Sequence, residues 1–315
     1  YGGTATGGGG SGGSGGSGSV NLITGSSGFV GEKLAIRADV EGFDVIGIDI
    51  KKSMNLDCKQ LELDLVSQDF YDKIPSESTI IHLASLSTDS MCRENPTLAI
   101  DANLRATSLV LENAKKSNSV HFLFASSEWV YPERPEVTEQ RESDNLDLAD
   151  LNSLYAMTKL FGESLIRSTS IVPYTILRFG IVYGPRIVPG SSAESIALKV
   201  YLGGEISVGS KETARRFIFI DDLIAGILQS VSKGPDLLNT KILNLAGSEL
   251  MSLDQIVSAA NEILGKSSAI IDGGKIASIR NPLIDETSRI LEWSPRINIR
   301  EGLESCLKVM TANNG

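Results

Sequence analysis

Short apolar runs and longer amphipathic stretches alternate along this chain. Five apolar runs predict buried strands, at residues 20–24, 45–50, 79–84, 120–125 and 174–179. Apolar residues recur at helical spacing between them, most clearly over 97–116 and 153–167. Strands that alternate with helices indicate βαβ units, which pack as a parallel sheet with helices on both faces. The pattern therefore predicts an α/β fold with a doubly wound parallel sheet, the Rossmann arrangement.

The second half of the chain has a more mixed pattern. Short strand signals at 218–220 and 242–245 lie among helical stretches such as 253–264. We therefore expect a Rossmann domain over residues 20–184, to which later segments return. Residues 185–315 are expected to form mainly a smaller α/β region that binds the substrate.

Residues 1–19 differ from the rest in composition. They contain 11 of the 31 glycines and no charged residue, and a Gly/Ser tract fills positions 7–19. Two interpretations stay open: a Gly/Ser-rich tag or linker, or a peptide ligand of residues 1–6 on a flexible spacer. In the second case the peptide would reach a neighbouring active site more easily than its own, and the substrate would be a peptide.

Charge and composition exclude several classes of partner. Asp and Glu outnumber Lys and Arg by 39 to 29, and the net charge of −10 disfavours nucleic acid. No apolar run approaches the roughly 18 residues of a membrane-spanning helix. Cys58, Cys92 and Cys306 form no CxxC pair, which favours a reducing compartment and a cytoplasmic protein. His82 and His121 lack ligand spacing, so no metal site is expected; we interpret His82 as packing and His121 as a surface strand residue.

A glycine turn follows the first predicted strand. Gly25, Gly28 and Gly31 have GxxGxxG spacing between that strand and a helical pattern. Glycines let the backbone approach a pyrophosphate, and the helix N-terminus offers it free N–H groups. Asp49 ends the second strand, and a carboxylate there accepts hydrogen bonds from ribose hydroxyls and repels a 2′-phosphate. We therefore expect NAD, rather than NADP, as the cofactor.

A tyrosine and a lysine are spaced for proton transfer. Tyr155 and Lys159 stand at i, i+4 in a helical pattern, which places both side chains on one face. A free tyrosine has a pKa of about 10, and we expect the neighbouring ammonium to lower it. Tyr155 would then act as a proton shuttle. Ser127 follows the strand 120–125, at the edge where a doubly wound sheet forms its crevice, and its hydroxyl is suited to hold a substrate oxygen.

Together these features resemble the extended short-chain dehydrogenase/reductase family, in its NAD-dependent nucleotide-sugar epimerase/dehydratase branch. The resemblance extends from residue 20 to about residue 307. Its matching segments occur in the family's order: TGSSGFVG (24–31), Asp49, HLAS (82–85), Asn103 with Thr107, SSEWVYP (126–132), YAMTK (155–159), LRFGIVYGPR (177–186), RRFIFIDD (215–222), LNLAGSELMSL (243–253) and LEWSPRINIREGL (291–303).

The resemblance implies which residues contact cofactor and substrate. The catalytic residues implied are Ser127, Tyr155 and Lys159. The NAD contacts implied are Gly25, Ser27, Gly28, Phe29, Val30, Asp49, Asp64, Leu65, Leu83, Ala84, Ser85, Asn103, Ala125, Tyr155 and Lys159. The substrate contacts implied are Ser85, Ser127, Glu128, Arg215 and Arg280. Arg215, with Arg280 as a second contact, would grip the pyrophosphate, because a guanidinium binds phosphate oxygens in a bidentate manner.

The resemblance also implies an activity, an NAD-dependent epimerase acting on a nucleotide sugar through a transient keto intermediate. Tyr155 would take a proton from a sugar hydroxyl while a hydride passes to the nicotinamide. The keto sugar would then rotate and receive the hydride on its other face. A homodimer is implied as well, formed by the helices predicted at 97–116 and 153–167.

Three other functions remain open at this point. A nucleotide keto-sugar reductase would use the same three residues. A related oxidoreductase could act on the peptide at the N-terminus. A non-catalytic dinucleotide-binding protein is disfavoured, because Ser127, Tyr155 and Lys159 are all present.

The chain departs from the family at two places. Ile181 replaces an asparagine that usually contacts substrate phosphate, which puts the usual position of the nucleotide sugar in question. Where 4,6-dehydratases have an Asp-Glu pair, this chain has Glu128 and Trp129. Dehydration is disfavoured, because a tryptophan side chain cannot exchange the required proton.

Overall fold

A computed structural model describes residues 20–67 and 69–312 of the chain. Their strands are β1 Asn21–Thr24, β2 Val45–Asp49, β3 Lys59–Glu62, β4 Thr79–His82, β5 His121–Ser127, β6 Tyr174–Phe179, β7 Val182–Tyr183, β8 Ile206–Val208, β9 Ala214–Arg215, β10 Ile218–Phe219, β11 Lys241–Leu245, β12 Met251–Ser252 and β13 Ile270–Asp272. Their helices are α1 Phe29–Val40, α2 Asp89–Glu94, α3 Pro96–Ile100, α4 Ala106–Lys116, α5 Leu154–Thr169, α6 Ser192–Leu202, α7 Ile220–Leu238, α8 Leu253–Leu264, α9 Asp285–Leu291 and α10 Ile299–Thr311.

The central sheet has seven strands in the order β3-β2-β1-β4-β5-β6-β11, and every neighbouring pair is parallel. Residues of β1, β4 and β5 are buried throughout, as expected for strands covered on both faces. The strand order reverses between β1 and β4, and ligands of such sheets bind at the carboxyl ends of the strands around this reversal. The predicted doubly wound fold is confirmed.

The helical pattern predicted over 97–116 is not one regular helix. α3 and α4 are joined by a π-helical turn, Asp101–Arg105. The pattern did not separate this turn from the helices beside it, because Asp101 and Arg105 at its two ends keep ordinary α-helical φ and ψ angles. Single π turns of this kind occur frequently at functional sites.

The structure confirms the prediction for one histidine and contradicts the prediction for the other. His82 is buried and bonds Thr24 at 2.7 Å and Thr107 at 3.0 Å, which confirms its packing role. His121 is also fully buried, with its Nε2 2.8 Å from the hydroxyl of Thr175, so the prediction of a surface residue is wrong. Burial lowers the pKa of His121 to about 4.

The later part of the chain both returns to the sheet and builds on it. β11 pairs with β6 at the sheet edge, which the mixed pattern after residue 184 anticipated. α6, α8 and α10 pack together around apolar residues such as Ala197, Ile256 and Leu303. Three two-stranded pairings, β7 with β10, β9 with β12 and β8 with β13, complete this part. The division into domains at residue 184 stays a prediction. Among the described residues, no helix is long and apolar enough to cross a membrane.

Candidate active site

The glycine turn joins β1 to α1, and neighbouring backbone atoms leave no space for a side chain at Gly25 or Gly31. Gly25 has a left-handed backbone (φ +73°), and a Cβ on it would lie 2.8 Å from the backbone nitrogen of Ala84. A Cβ on Gly31 would lie 2.1 Å from the carbonyl oxygen of Gly25. α1 begins at Phe29 with no side-chain cap from Gly28. The glycines therefore let the turn pack tightly against neighbouring backbone, and the first-turn N–H groups of α1, which no side chain caps, suit an anion.

Asp49 ends β2 beside this turn. Its Oδ2 accepts a 3.0 Å hydrogen bond from the backbone N–H of Ser27, which fixes the carboxylate next to the turn. Asp64 is exposed just after β3, at the same edge of the sheet. Leu65 follows it, with its side chain buried in the core cluster that also contains Phe70. The roles predicted for these residues stay predictions.

The segment after β4 is held against the glycine turn. The hydroxyl oxygen of Thr24 accepts hydrogen bonds of 3.2 Å from the backbone N–H groups of Leu83 and Ala84. Leu83, Ala84 and Ser85 are all half-buried. The carboxyl ends of β1, β2 and β4 thus gather most of the residues predicted to bind NAD at one edge.

Ser127, Tyr155 and Lys159 come together where β5 ends. Nζ of Lys159 donates a 2.8 Å hydrogen bond to the carbonyl oxygen of Ala125 and lies 5.8 Å from the centroid of the Tyr155 ring. The side chain of Ser127 is close enough to the phenol of Tyr155 to oppose the rise of its pKa. Trp129 packs edge-on against the Tyr155 ring, with centroids 6.0 Å apart. The sequence spacing therefore identified three side chains that meet in space.

The acidity of the phenol differs from the expectation. Burial raises the pKa of Tyr155 to about 12, although the side chain of Ser127 acts in the opposite direction. The prediction that Lys159 lowers this pKa is wrong for the chain by itself, because the cost of desolvating a phenolate is larger. Burial also lowers the pKa of Lys159 to about 8, so the ammonium keeps most of its charge at pH 7.

Asn103 occupies the middle of the π turn and is buried. Its Oδ1 accepts a 2.7 Å bond from the N–H of Leu86, and its Nδ2 contacts Thr158 at 3.0 Å. The Thr158 hydroxyl in turn donates to the carbonyl oxygen of Tyr155 at 2.8 Å. Asn103 thus ties the π turn to the first turn of α5, while its predicted contact with NAD stays a prediction.

The three predicted substrate residues with charged side chains form one cluster. Glu128 is fully buried, and its Oε1 lies 3.3 Å from Nε of Arg215. Burial raises the pKa of Glu128 to about 7, against the opposing effects of Arg215 and Arg280. The guanidinium of Arg280 stacks on Trp129, 4.8 Å from the ring centroid. A cavity of about 190 Å³ borders this cluster, lined by Trp129, Arg280, Glu133, Asp89 and Ser153 among others.

A buried ion pair near β5 was not anticipated from the sequence. Two nitrogens of Arg178 donate to the carboxylate of Glu163, at 2.9 Å and 2.7 Å, and both side chains are almost fully buried. The hydroxyl of Ser126 donates to the same carboxylate, and Arg178 also donates to Tyr131 at 3.0 Å. The available signal was an arginine inside the apolar run YTILRF (174–179).

Comparison with known proteins identifies the family. The model of the NAD dependent epimerase/dehydratase family matches residues 21–246 of this chain. The chain belongs to that family. This membership confirms the resemblance found in the sequence, and the family's NAD dependence confirms the predicted cofactor.

Individual members of the epimerase/dehydratase family match over nearly the whole chain. A UDP-glucuronate 4-epimerase of Thermodesulfobacterium geofontis is 27% identical over 311 residues, which covers 90% of this chain and 93% of that protein. A dTDP-4-dehydro-6-deoxy-D-allose reductase of a Streptomyces species is 24% identical, over 90% and 93% of the two chains. The structure of MoeE5 with UDP-glucuronic acid and NAD has the same fold, with a TM-score of 0.82, 23% identity, and coverage of 94% and 100%.

Proposed function

We propose that this protein is an NAD-dependent epimerase acting on a nucleotide sugar through a transient keto intermediate. The observation that carries the proposal is the meeting of Ser127, Tyr155 and Lys159 at the carboxyl edge that also holds the glycine turn. This edge combines groups that move a proton with a backbone shaped for a dinucleotide.

The residues of the glycine turn fit NAD. Gly25 and Gly31 let the turn fold tightly against neighbouring backbone, where a Cβ would clash, and the uncapped start of α1 suits a pyrophosphate. Asp49, fixed by Ser27, would accept the ribose hydroxyls. NAD, when bound, supplies a group that accepts a hydride and returns it.

The side chains at the end of β5 would handle the proton. Ser127 orients the reacting sugar oxygen, and Tyr155 takes the proton from the sugar hydroxyl and later returns it. Lys159 is held by the carbonyl oxygen of Ala125, so its charge stays beside the phenol. Since burial alone keeps the phenol protonated, Tyr155 needs additional positive charge in the assembled complex to act as a base.

Arg215 and Arg280 would hold the diphosphate of the nucleotide sugar. Both guanidinium groups are largely buried, and burial together with the charge of Arg215 lowers the pKa of Arg280 to about 10. Two neighbouring buried cations favour an anionic ligand, and guanidinium groups match phosphate oxygens in geometry.

The direct test is product analysis with UDP-glucose and UDP-glucuronic acid as probes. The protein and NAD, with no added reductant, should convert at least one of them to its C4 epimer, detected by NMR, without net accumulation of NADH. The Streptomyces relative favours the reductase as the second candidate. Consumption of NADH in proportion to an added nucleotide 4-keto sugar, with no epimer formed from either probe, would replace the epimerase by that reductase.

The homodimer belongs to this proposal and has structural support. Leu98 and Ile100 on α3 and Phe161 on α5 are large apolar side chains that are about half exposed. Helix faces of this kind suit a second copy of the chain. Light scattering at micromolar concentration should give the mass of two chains, and the mass of one chain would contradict the dimer. The peptide contact suggested for residues 1–19 lies outside the described residues.

A further inference from the structure

A surface carboxylate occupies the point where two arginines converge. Oε1 of Glu133 lies 3.2 Å from Nη2 of Arg280 and 3.5 Å from Nη2 of Arg215. One oxygen bound by two guanidinium groups is also the arrangement in which arginines hold an oxygen of a phosphate. Glu133 therefore takes the position that a phosphate oxygen needs.

The two carboxylates of the cluster differ in their freedom to move. Glu128 is enclosed by the protein, with a side chain 1% exposed, so it stays with Arg215. The side chain of Glu133 is 40% exposed and can turn into solvent. The backbone at this point is fixed independently, because Arg134 and Ile279 exchange hydrogen bonds of 3.1 Å and 2.9 Å. Glu133 can leave the arginines without a change in the chain around it.

The charges left behind favour an incoming anion. With Glu133 in place, two arginines face two glutamates. When Glu133 turns away, Glu128 alone opposes two guanidinium groups, so the positive charge of the cluster increases. Nη1 of Arg280 is buried with no hydrogen-bond partner among the described residues, and Arg280 lines the cavity of about 190 Å³. A buried donor without a partner carries a desolvation cost. A ligand oxygen that accepts a hydrogen bond from this donor removes the cost and so binds more tightly.

We propose that Glu133 is a displaceable counter-ion that competes with the diphosphate of the substrate for Arg215 and Arg280. This inference rests on the proposed function, since it assigns the substrate's phosphates to these arginines. The competition lowers affinity for any ligand with phosphate at this site, and Glu133 reduces the unbalanced positive charge of the buried arginines when no substrate is there.

The test compares Glu133→Gln with Glu136→Gln in the full-length protein. Glu136 is an exposed carboxylate three residues away that makes no ion pair with the described residues, so both variants change the net charge equally. Calorimetry with UDP, and with inorganic pyrophosphate as a probe without a base, should show about three- to tenfold tighter binding to Glu133→Gln and no change for Glu136→Gln. Glu133→Asp keeps the charge but shortens the side chain, and should give an intermediate gain.

Each outcome of this comparison decides something different. An unchanged melting temperature with tighter binding supports the proposal, and so does a lower KM for substrate at an unchanged kcat. Equal affinities for the parent and all three variants overturn the role of Glu133 but leave the epimerase proposal intact. Weaker binding to Glu133→Gln would mean that Glu133 holds the two guanidinium groups in position for the ligand, and this result overturns the proposal as well. If the parent protein binds neither probe, the assignment of the arginines to a nucleotide diphosphate fails, and the competition fails with it.

Discussion

Tyr155→Phe should reduce epimerase turnover by at least about 100-fold, since general acid–base groups typically contribute factors of about 10² to 10⁴. The substitution removes one oxygen and keeps the ring that packs against Trp129. Folding and NAD binding should therefore be preserved. Turnover is measured on whichever probe the parent protein converts, and NAD binding is measured separately by calorimetry.

Tyr71→Phe is the matched control for this experiment. Tyr71 is 43% exposed in the short turn after Phe70, where its ring lies near Lys116, and it is remote in sequence from β5 and α5. Its loss of one phenol oxygen should leave turnover unchanged. Near-normal turnover in Tyr155→Phe would show that this phenol does not carry the proton, and it would leave the fold assignment unaffected.

Arg178→Met should lower the free energy of unfolding by about 3–5 kcal/mol, the usual result of removing one partner from a buried ion pair. The carboxylate of Glu163 is 1% exposed and would lose both hydrogen bonds from the guanidinium. The remaining bond from Ser126 cannot compensate a buried charge. Chemical denaturation of the parent and the variant measures the difference.

Two further variants separate the lost pair from a general effect of removing an arginine. Arg37→Met breaks an exposed ion pair with Glu41 at the C-terminal end of α1 and should change stability far less. The double variant Arg178→Met with Glu163→Leu should recover much of the loss, because no unpaired charge remains buried. A single Arg178→Met variant as stable as the Arg37→Met variant would contradict the expected cost of burying Glu163 alone.

The sequence predicted those features that depend on local pattern. Apolar runs of β1, β4 and β5 and the intervening helical periods specified the sheet, and the i, i+4 spacing of Tyr155 and Lys159 specified one face of α5. These properties follow from backbone geometry, which repeats along the chain.

Features that depend on the surroundings of a side chain were missed or wrong. The raised pKa of Tyr155 arises from burial by residues distant in sequence, and the pairing of Arg178 with Glu163 joins β6 to α5. The sequence did not indicate a role for Glu133, which lies in a charged loop segment. Its contact with Arg280 depends on the pairing of Arg134 with Ile279, residues more than 140 positions apart. Spacing along a chain carries no information on such encounters.

The hydrogen bond from Lys159 to the carbonyl oxygen of Ala125 has a consequence for how this protein could acquire new substrates. It fastens α5 to the backbone of the central sheet, without using any side chain of the cavity wall. Glu133 and Arg280 line the cavity from segments outside α5 and can be exchanged while that attachment stays in place. Exchanges at such positions would change the cavity that a ligand meets while the attachment of Lys159 to the sheet is kept.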